Sequence, residues 1–310
     1  MDTRKPLDGL ASATMLVLCT LWGLQQVAIK AVAHDIAPIL QIGLRSGVAA
    51  LLVWLLMRWR KEDMALTHWR PGLAVGGLFG LEYLLVGEGL RFTSASHMVV
   101  FLYTAPIFVA LGLHWKLPAE RLSPVKWLGI GLAFAGIVFT FFGRTAASTA
   151  GISSHSGQML LGDLLGLLAG VAWGATTVVV RTSSLARVSA AQTLLYQLVA
   201  ACVLLLGAAW ALGQTTVHAT PLVWAVMGFQ SLVVSFASFL VWFWLLRSYL
   251  ASRLSVFSFL TPLFGMGFGV WLLHEPLEPG FVAGALCVLA GVVLVSSEDW
   301  LRLGFKKQAA

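Results

Sequence analysis

Apolar residues in this chain fall in runs of roughly 20, separated by short stretches that carry charge, proline and glycine. A run of that length crosses about 30 Å of hydrocarbon as an α-helix. The pattern predicts ten spans: Ala11–Val32, Ala37–Met57, Gly72–Leu90, Ala95–Trp115, Val125–Gly143, Leu161–Val180, Ser189–Leu212, Leu222–Leu246, Ala251–Leu272 and Gly280–Ser296. Most breaks are tight, such as His34-Asp35 and His274-Glu275-Pro276. The longest, Arg144 to Gln158, is rich in Ser, Thr, Ala and Gly and reads as a flexible tether. The expected domains are a five-helix repeat over 1–143, a polar linker over 144–160, a second five-helix repeat over 161–297 and a basic cytoplasmic tail over 298–310.

Composition removes the soluble classes. The 310 residues are 59% hydrophobic and 11% charged, with a mean hydropathy of +0.87. The net charge of +7 does not point to nucleic acid, because the basic residues sit between apolar runs and form no block interleaved with aromatics. They read as topology signals. On the ten-span arrangement, sixteen of the twenty Lys and Arg fall on one side and three on the other, with Arg45 inside a span. The positive side is cytoplasmic, so both termini are expected in the cytoplasm and the chain in a bacterial inner membrane. Cys19, Cys202 and Cys287 lie inside apolar runs with no CxxC pair, as packing residues do. The first run follows Arg4 and Lys5 as in a signal peptide, but it is long, carries Gln25, Gln26 and Lys30, and has a counterpart in mid-chain. It is expected to be a retained helix.

That counterpart belongs to an internal repeat. Ala95-Ser96, Val100-Phe101, Pro106 and Phe108 recur 156 positions later as Ala251-Ser252, Val256-Phe257, Pro262 and Phe264. Glu120, Leu122, Pro124, Gly129, Ala135 and Gly136 recur at a separation of 155 as Glu275, Leu277, Pro279, Gly284, Ala290 and Gly291. Trp22-Gly23 and Lys30 match Trp173-Gly174 and Arg181 at 151. With five spans per repeat, the second copy enters the membrane upside down, the inverted-repeat plan of secondary transporters.

These residues resemble the drug/metabolite transporter superfamily in its ten-helix form with two EamA-type repeats. They are Trp22-Gly23, Pro38, Arg45, Pro106, Glu120, Pro124, Gly129 and Gly136, then Trp173-Gly174, Pro262, Glu275, Pro279, Gly284 and Gly291. Within it the chain looks most like the bacterial aromatic amino acid exporters. The resemblance implies an all-α membrane protein whose two inverted repeats enclose a central cavity, lined chiefly by spans one, three, four, six, eight and nine. The chain departs at the Arg45 position, where the second repeat has Tyr196.

Candidate substrate-binding residues are the polar and aromatic side chains inside spans: Trp22, Gln25, Glu82, Tyr83, Tyr103, Trp173 and Tyr196. The tyrosine hydroxyls need partners, which either a polar cavity or a neighbouring backbone supplies. Trp22 and Trp173 offer flat faces to an aromatic solute or pack the core. Gln25 either binds a carboxylate or ammonium or bridges helices. Glu82 either meets a substrate ammonium, carries a proton or pairs with Arg45. Pro106 and Pro262 break or bend spans four and nine, as hinges or as packing kinks. Gly72, Gly76 and Gly80, and Gly162, Gly166 and Gly170, form small-residue stripes for helix contact, and Glu82 lies about 200° from Gly80 around its helix.

The expected function is secondary export, by alternating access, of small metabolites, chiefly aromatic or other apolar amino acids. The alternatives are amphipathic cationic drugs or other metabolites. A phosphorylated cargo needs cationic groups near the midplane, and Arg45 is the one Lys or Arg that lies away from the ends of its span. The chain contains no GxxxxGK[ST], HExxH or GxSxG, no evident facing Asp or His cluster and no polar ring of a pore, so neither ATP coupling nor enzyme chemistry is expected, nor a channel. No cofactor, metal or obligatory protein partner is expected, only the solute and the bilayer. Single cysteines placed at residues 3 and 306 should both react with an impermeant thiol reagent only from the cytoplasmic face. Reaction at opposite faces would refute the even span number.

Overall fold

The computed structural model describes residues 8–62, 64–117, 122–147, 154–249, 257–258 and 260–308. The described residues are helical almost throughout, in chain order α1 Gly9–Ala31, α2 Pro38–Trp59, α3 Trp69–Phe92, α4 Ala95–Leu102, α5 Ala105–Lys116, α6 Pro124–Ala147, α7 Ser154–Thr182, α8 Ala190–Ala211, α9 Pro221–Gly228, a π-helical stretch Phe229–Ser238, α10 Phe239–Ser248, α11 Leu260–Leu273 and α12 Pro279–Gln308. Seven segments are long and apolar enough to cross a membrane, and Pro124–Thr140, Leu260–Leu273 and Pro279–Val295 are shorter apolar helices. Every predicted span overlaps a helix.

The predicted fourth span coincides with the candidate crossing Ala95–Lys116, within which the chain turns at Tyr103-Thr104 and restarts with Pro106 at a position where a missing N–H costs nothing. Two local expectations are corrected. The linker over 144–160 is entered by helix from both sides, to Ala147 and from Ser154. The expected tail over 298–310 continues α12 as far as Gln308. Of the repeat residues, Glu120 and Ala251 to Val256 lie outside the described residues.

Large apolar side chains point outward, among them Trp210 and Trp59 at about four-fifths exposed, as a lipid-facing surface requires. Helix association must then rest on close backbone approach. The most extensive pairing is α6 with α12, where Gly136 meets the Gly284 carbonyl and Gly291 meets Gly129. Gly72, Gly76 and Gly80 of α3 face Tyr196, Ala200 and Leu204 of α8. Gly162, Gly166, Gly170 and Gly174 of α7 face Thr93, Met98, Phe101, Thr104 and Phe108. Helix α2 packs along α8, and α1 along α11.

The two ends of α1 are tied differently. At its start Asp8 caps the helix, accepting from Ala11 N at 2.8 Å, and accepts the Tyr249 hydroxyl at 2.8 Å. That bond pushes the Tyr249 phenol up from its ordinary value, so it stays a donor. At its end Lys30 donates to the carbonyls of Leu90 and Thr93. Beyond it, His218 N donates to the Asp35 carbonyl at 2.8 Å, beside an isolated bridge between Ile36 and Val217.

A Cβ on Gly136 would stand 2.6 Å from the Gly284 carbonyl oxygen and 2.8 Å from Val288 N. Gly136→Val should therefore lose about 1–3 kcal/mol of stability, seen as a lower thermal midpoint in detergent. Gly131→Val, with nothing within 4 Å, should leave the midpoint in place.

Candidate functional site

Among the described residues the interior of the bundle holds one buried guanidinium, and the surrounding helices supply its partners. Arg45 of α2 is 3% exposed. Its Nη1 donates to Gln230 Oε1 at 3.0 Å. With the Gln25 amide oxygen turned toward it, that oxygen accepts from Nη1 at 2.9 Å and Nη2 at 3.0 Å. Gln230 Nε2 donates in turn to Gln41 Oε1 at 3.3 Å, and Gln41 Nε2 donates to the carbonyls of Ile29 at 3.1 Å and Ile36 at 2.8 Å. Gln41 thus closes orphan carbonyls at the end of α1 while steadying the amide that steadies Arg45. Gln230 reaches the cluster from the π-helical stretch, whose wider turns bury Gln230, Ser231, Ser235 and Ser238.

Arg45 also lies over the Tyr83 ring, 4.9 Å from its centroid. The neighbouring Glu82 is 4% exposed, and its Oε2 has no hydrogen-bond partner among the described residues. Arg45 Nε, Gln26 Oε1 and Thr261 Oγ1 are likewise buried without a partner there. Tyr103, at the break between α4 and α5, stands edge-on to Trp173 of α7 at 5.2 Å and close to Thr261, Cys19, Tyr83 and Glu82. Tyr83, Tyr103 and Trp173 keep part of their surface open, whereas Gln25, Arg45 and Glu82 are covered. A cleft of about 360 Å³ and another of about 290 Å³ lie along the seam of α1 with α9, the π-helical stretch and α10, with apolar walls such as Val17, Leu21, Val226 and Val233.

Two candidates stand apart. Trp22 turns to the seam, its Nε1 donating to Ser238 Oγ at 3.0 Å and its ring edge-on to Trp242 at 5.7 Å. Tyr196 does not join the cluster: its ring lies against Gly72, and Gln192 Nε2 donates to its hydroxyl at 3.5 Å. The face of α8 that carries Tyr196 is the one covered by α3, so the position matching Arg45 in the second repeat is a packing position. Pro106 and Pro262 both sit in first helical turns, of α5 and α11, rather than at mid-helix kinks. Glu275 caps α4, accepting from Ala95 N at 2.7 Å and from Ser96 N and Oγ at 3.0 and 2.6 Å.

The sequence reading missed a second buried polar cluster. Contrary to the expectation of no facing Asp and His, Asp163 of α7 lies with both carboxylate oxygens 3.0 Å from His97 Nδ1. It also accepts the Thr93 hydroxyl, and His97 stacks on Phe281 at 3.5 Å. These residues come from different repeats, and only their shared isolation within apolar runs hints at a meeting. No group of three or more His, Cys, Asp or Glu suited to a metal occurs among the described residues.

Gln230→Leu removes one acceptor of Arg45 and the donor to Gln41. The stranded guanidinium should cost about 1–3 kcal/mol, read as a lower thermal midpoint, and an unchanged midpoint would show that Gln25 alone satisfies Arg45.

The EamA-like transporter family model matches residues 10–142 and 160–297. The uncharacterized transporter YoaV of Bacillus subtilis is 26% identical, covering 94% of this chain and 96% of its own. The uncharacterized transporter YvbV of the same organism is 27% identical over 91% of this chain and 90% of its own. A solved crystal structure of a protein 18% identical superposes with a TM-score of 0.61, over 93% of this chain and 95% of that one, a likeness of fold.

Proposed function

The chain belongs to the EamA-like transporter family, and on that premise we propose that it is a secondary exporter of small zwitterionic solutes, aromatic and other apolar amino acids first among them. The carrying observation is the pair of buried orphans at the centre. Among the described residues Arg45 Nε is a cationic donor without an acceptor, and Glu82 Oε2 an acceptor without a donor. An α-amino acid brings the complement of both, a carboxylate for Arg45 and an ammonium for Glu82. The partly exposed Tyr83, Tyr103 and Trp173 then offer walls to an apolar or planar side chain. An amphipathic cation would satisfy Glu82 and leave Arg45 as it stands, which makes drug export the second reading.

The transport cycle in this reading is alternating access between two inverted five-helix repeats that together span the membrane ten times, both termini lying in the cytoplasm of a bacterial inner membrane. Three features support it. The Lys and Arg bias fits an even number of crossings. The α6–α12 and α2–α8 pairings each join helices of like position in the two repeats. The packing of α1 on α11 has its counterpart in the packing of α7 on α4 and α5. With no phosphate-binding loop in the sequence, the driving force would be a solute or ion gradient.

Counterflow in proteoliposomes tests the assignment. Labelled phenylalanine should move saturably, and phenethylamine and phenylpropionate, each lacking one charged group, should compete about ten- to a hundredfold more weakly than phenylalanine. Glu82→Gln should lower kcat/KM for phenylalanine by a similar factor. Competition by phenethylamine as strong as by phenylalanine would favour the cationic-drug reading. Movement of a sugar phosphate alone would overturn both.

A further inference from the structure

Two hydroxyl–carboxylate bonds occupy matching places in the two repeats. Thr93 ends α3 and Tyr249 ends α10, each closing its helix through an N–H donated to the carbonyl four residues back, Gly89 and Leu245. Both have extended backbones, with φ −118° and ψ 172° at Thr93 and φ −129° and ψ 163° at Tyr249. They lie 156 positions apart, the separation that superposes Ala95-Ser96 on Ala251-Ser252. The partners cross between repeats. Thr93 Oγ1 donates to Asp163 in α7, the first helix of the second repeat, and Tyr249 OH donates to Asp8, the cap of α1, the first helix of the first.

The two bonds stand at opposite ends of the bundle. Asp8 begins α1, whereas Lys30 at its far end reaches the Thr93 carbonyl. A helix of 23 residues separates these ends by roughly 34 Å. Around Thr93 the closure is reinforced by Lys30 on the Leu90 carbonyl, Glu275 on Ala95 and Ser96, and His97 on Asp163. On the topology proposed above, this end faces outward and the Asp8–Tyr249 end faces the cytoplasm. Among the described residues neither bond shares a hydrogen-bonding group with the Arg45 cluster, so satisfying Arg45 does not explain them. Each joins the end of a helix in one repeat to the first helix of the other, across the boundary that must part for the centre to be reached from that side.

We propose that Thr93–Asp163 and Tyr249–Asp8 are paired latches, the first closing the path from outside and the second the path from the cytoplasm. This rests on the alternating-access reading. In the present conformation both are fastened, and opening either face requires the release of its own latch while the other holds.

Cys19, buried in α1 between the two ends and close to Tyr103, serves as the reporter. Cys202→Ala and Cys287→Ala leave it as the only thiol, and a membrane-impermeant maleimide is applied separately to right-side-out and inside-out vesicles. Thr93→Val should raise the labelling rate from outside by about tenfold, the shift expected when a hydroxyl–carboxylate bond is lost, without raising it from inside. Tyr249→Phe should do the reverse, and Thr93→Ser should keep the parental rates. Unchanged rates in both variants, in protein that still performs phenylalanine counterflow, would overturn the latches and leave the transport reading standing. A rise from both faces in a single variant would mark loosened packing and overturn the latch at that site. A rise from the same face in both variants would overturn the antiparallel arrangement itself.

Discussion

A guanidinium in the middle of an apolar bundle has to be satisfied by groups the protein itself brings there. Water is scarce at that depth, and an unpaired buried charge costs several kcal/mol. Arg45 meets this demand with amides from two other helical segments, Gln25 on α1 and Gln230 on the π-helical stretch. Gln41, one turn before Arg45 on α2, anchors Gln230 and caps carbonyls near the end of α1. The amides balance no charge, and the Glu82 carboxyl makes no hydrogen bond to the guanidinium among the described residues. That combination holds Arg45 in place while leaving electrostatic demand at the centre for a bound solute to meet.

The demand also bears on backbone geometry. An α-helical turn advances a side chain by about 100° per residue, and the wider π turns of Phe229–Ser238 change which residues face inward. Gln230, Ser231, Ser235 and Ser238 are all buried, and they supply partners both for Arg45 and for Trp22. π-Helical turns are rare, occur mostly singly and are frequent at functional sites. This run persists where it delivers polar side chains into an interior that has few.

Much of the architecture is legible in the sequence because lipid imposes simple statistics. Apolar runs locate the helices, and an ionisable or amide side chain inside a run, such as Arg45, Glu82 or Gln25, is conspicuous against that background. Glycines four apart mark faces such as the α3 stripe against α8. What cannot be read is convergence between distant segments. His97 and Asp163 are 66 residues apart and belong to different repeats, so no local pattern joins them. Tyr196 looks like a site residue by its rarity and its match to Arg45, yet the facing of α8 toward Gly72 is a tertiary fact. The prolines are legible as a break or a bend, and the tertiary structure decides between them: at Pro106 the chain ends one helix and starts another, which removes the conflict that a kink would leave.

The repeats are alike in order and unlike in tightness, and the difference says where the bundle can give. In the first repeat Gly72, Gly76 and Gly80 bring α3 hard against α8. The positions 156 further on are Gly228, Leu232 and Phe236. Two of the three are large, and nothing lies within 4 Å of a Cβ on Gly228. The packing follows from that chemistry. Helix α3 is pressed onto α7 and α8, whereas α9, the π-helical stretch and α10 meet α1 more sparsely, and both apolar clefts open along that seam. Interdigitated glycine faces resist sliding because any shift drives backbone into backbone, while a seam of leucine and valine side chains separated by space can repack with little loss of contact. Gln230 and Ser238 lie in the element on the loose side, one bonded to Arg45 and the other to Trp22. Displacement at this seam therefore acts directly on the polar centre, and displacement of α3 would first have to undo its glycine contacts.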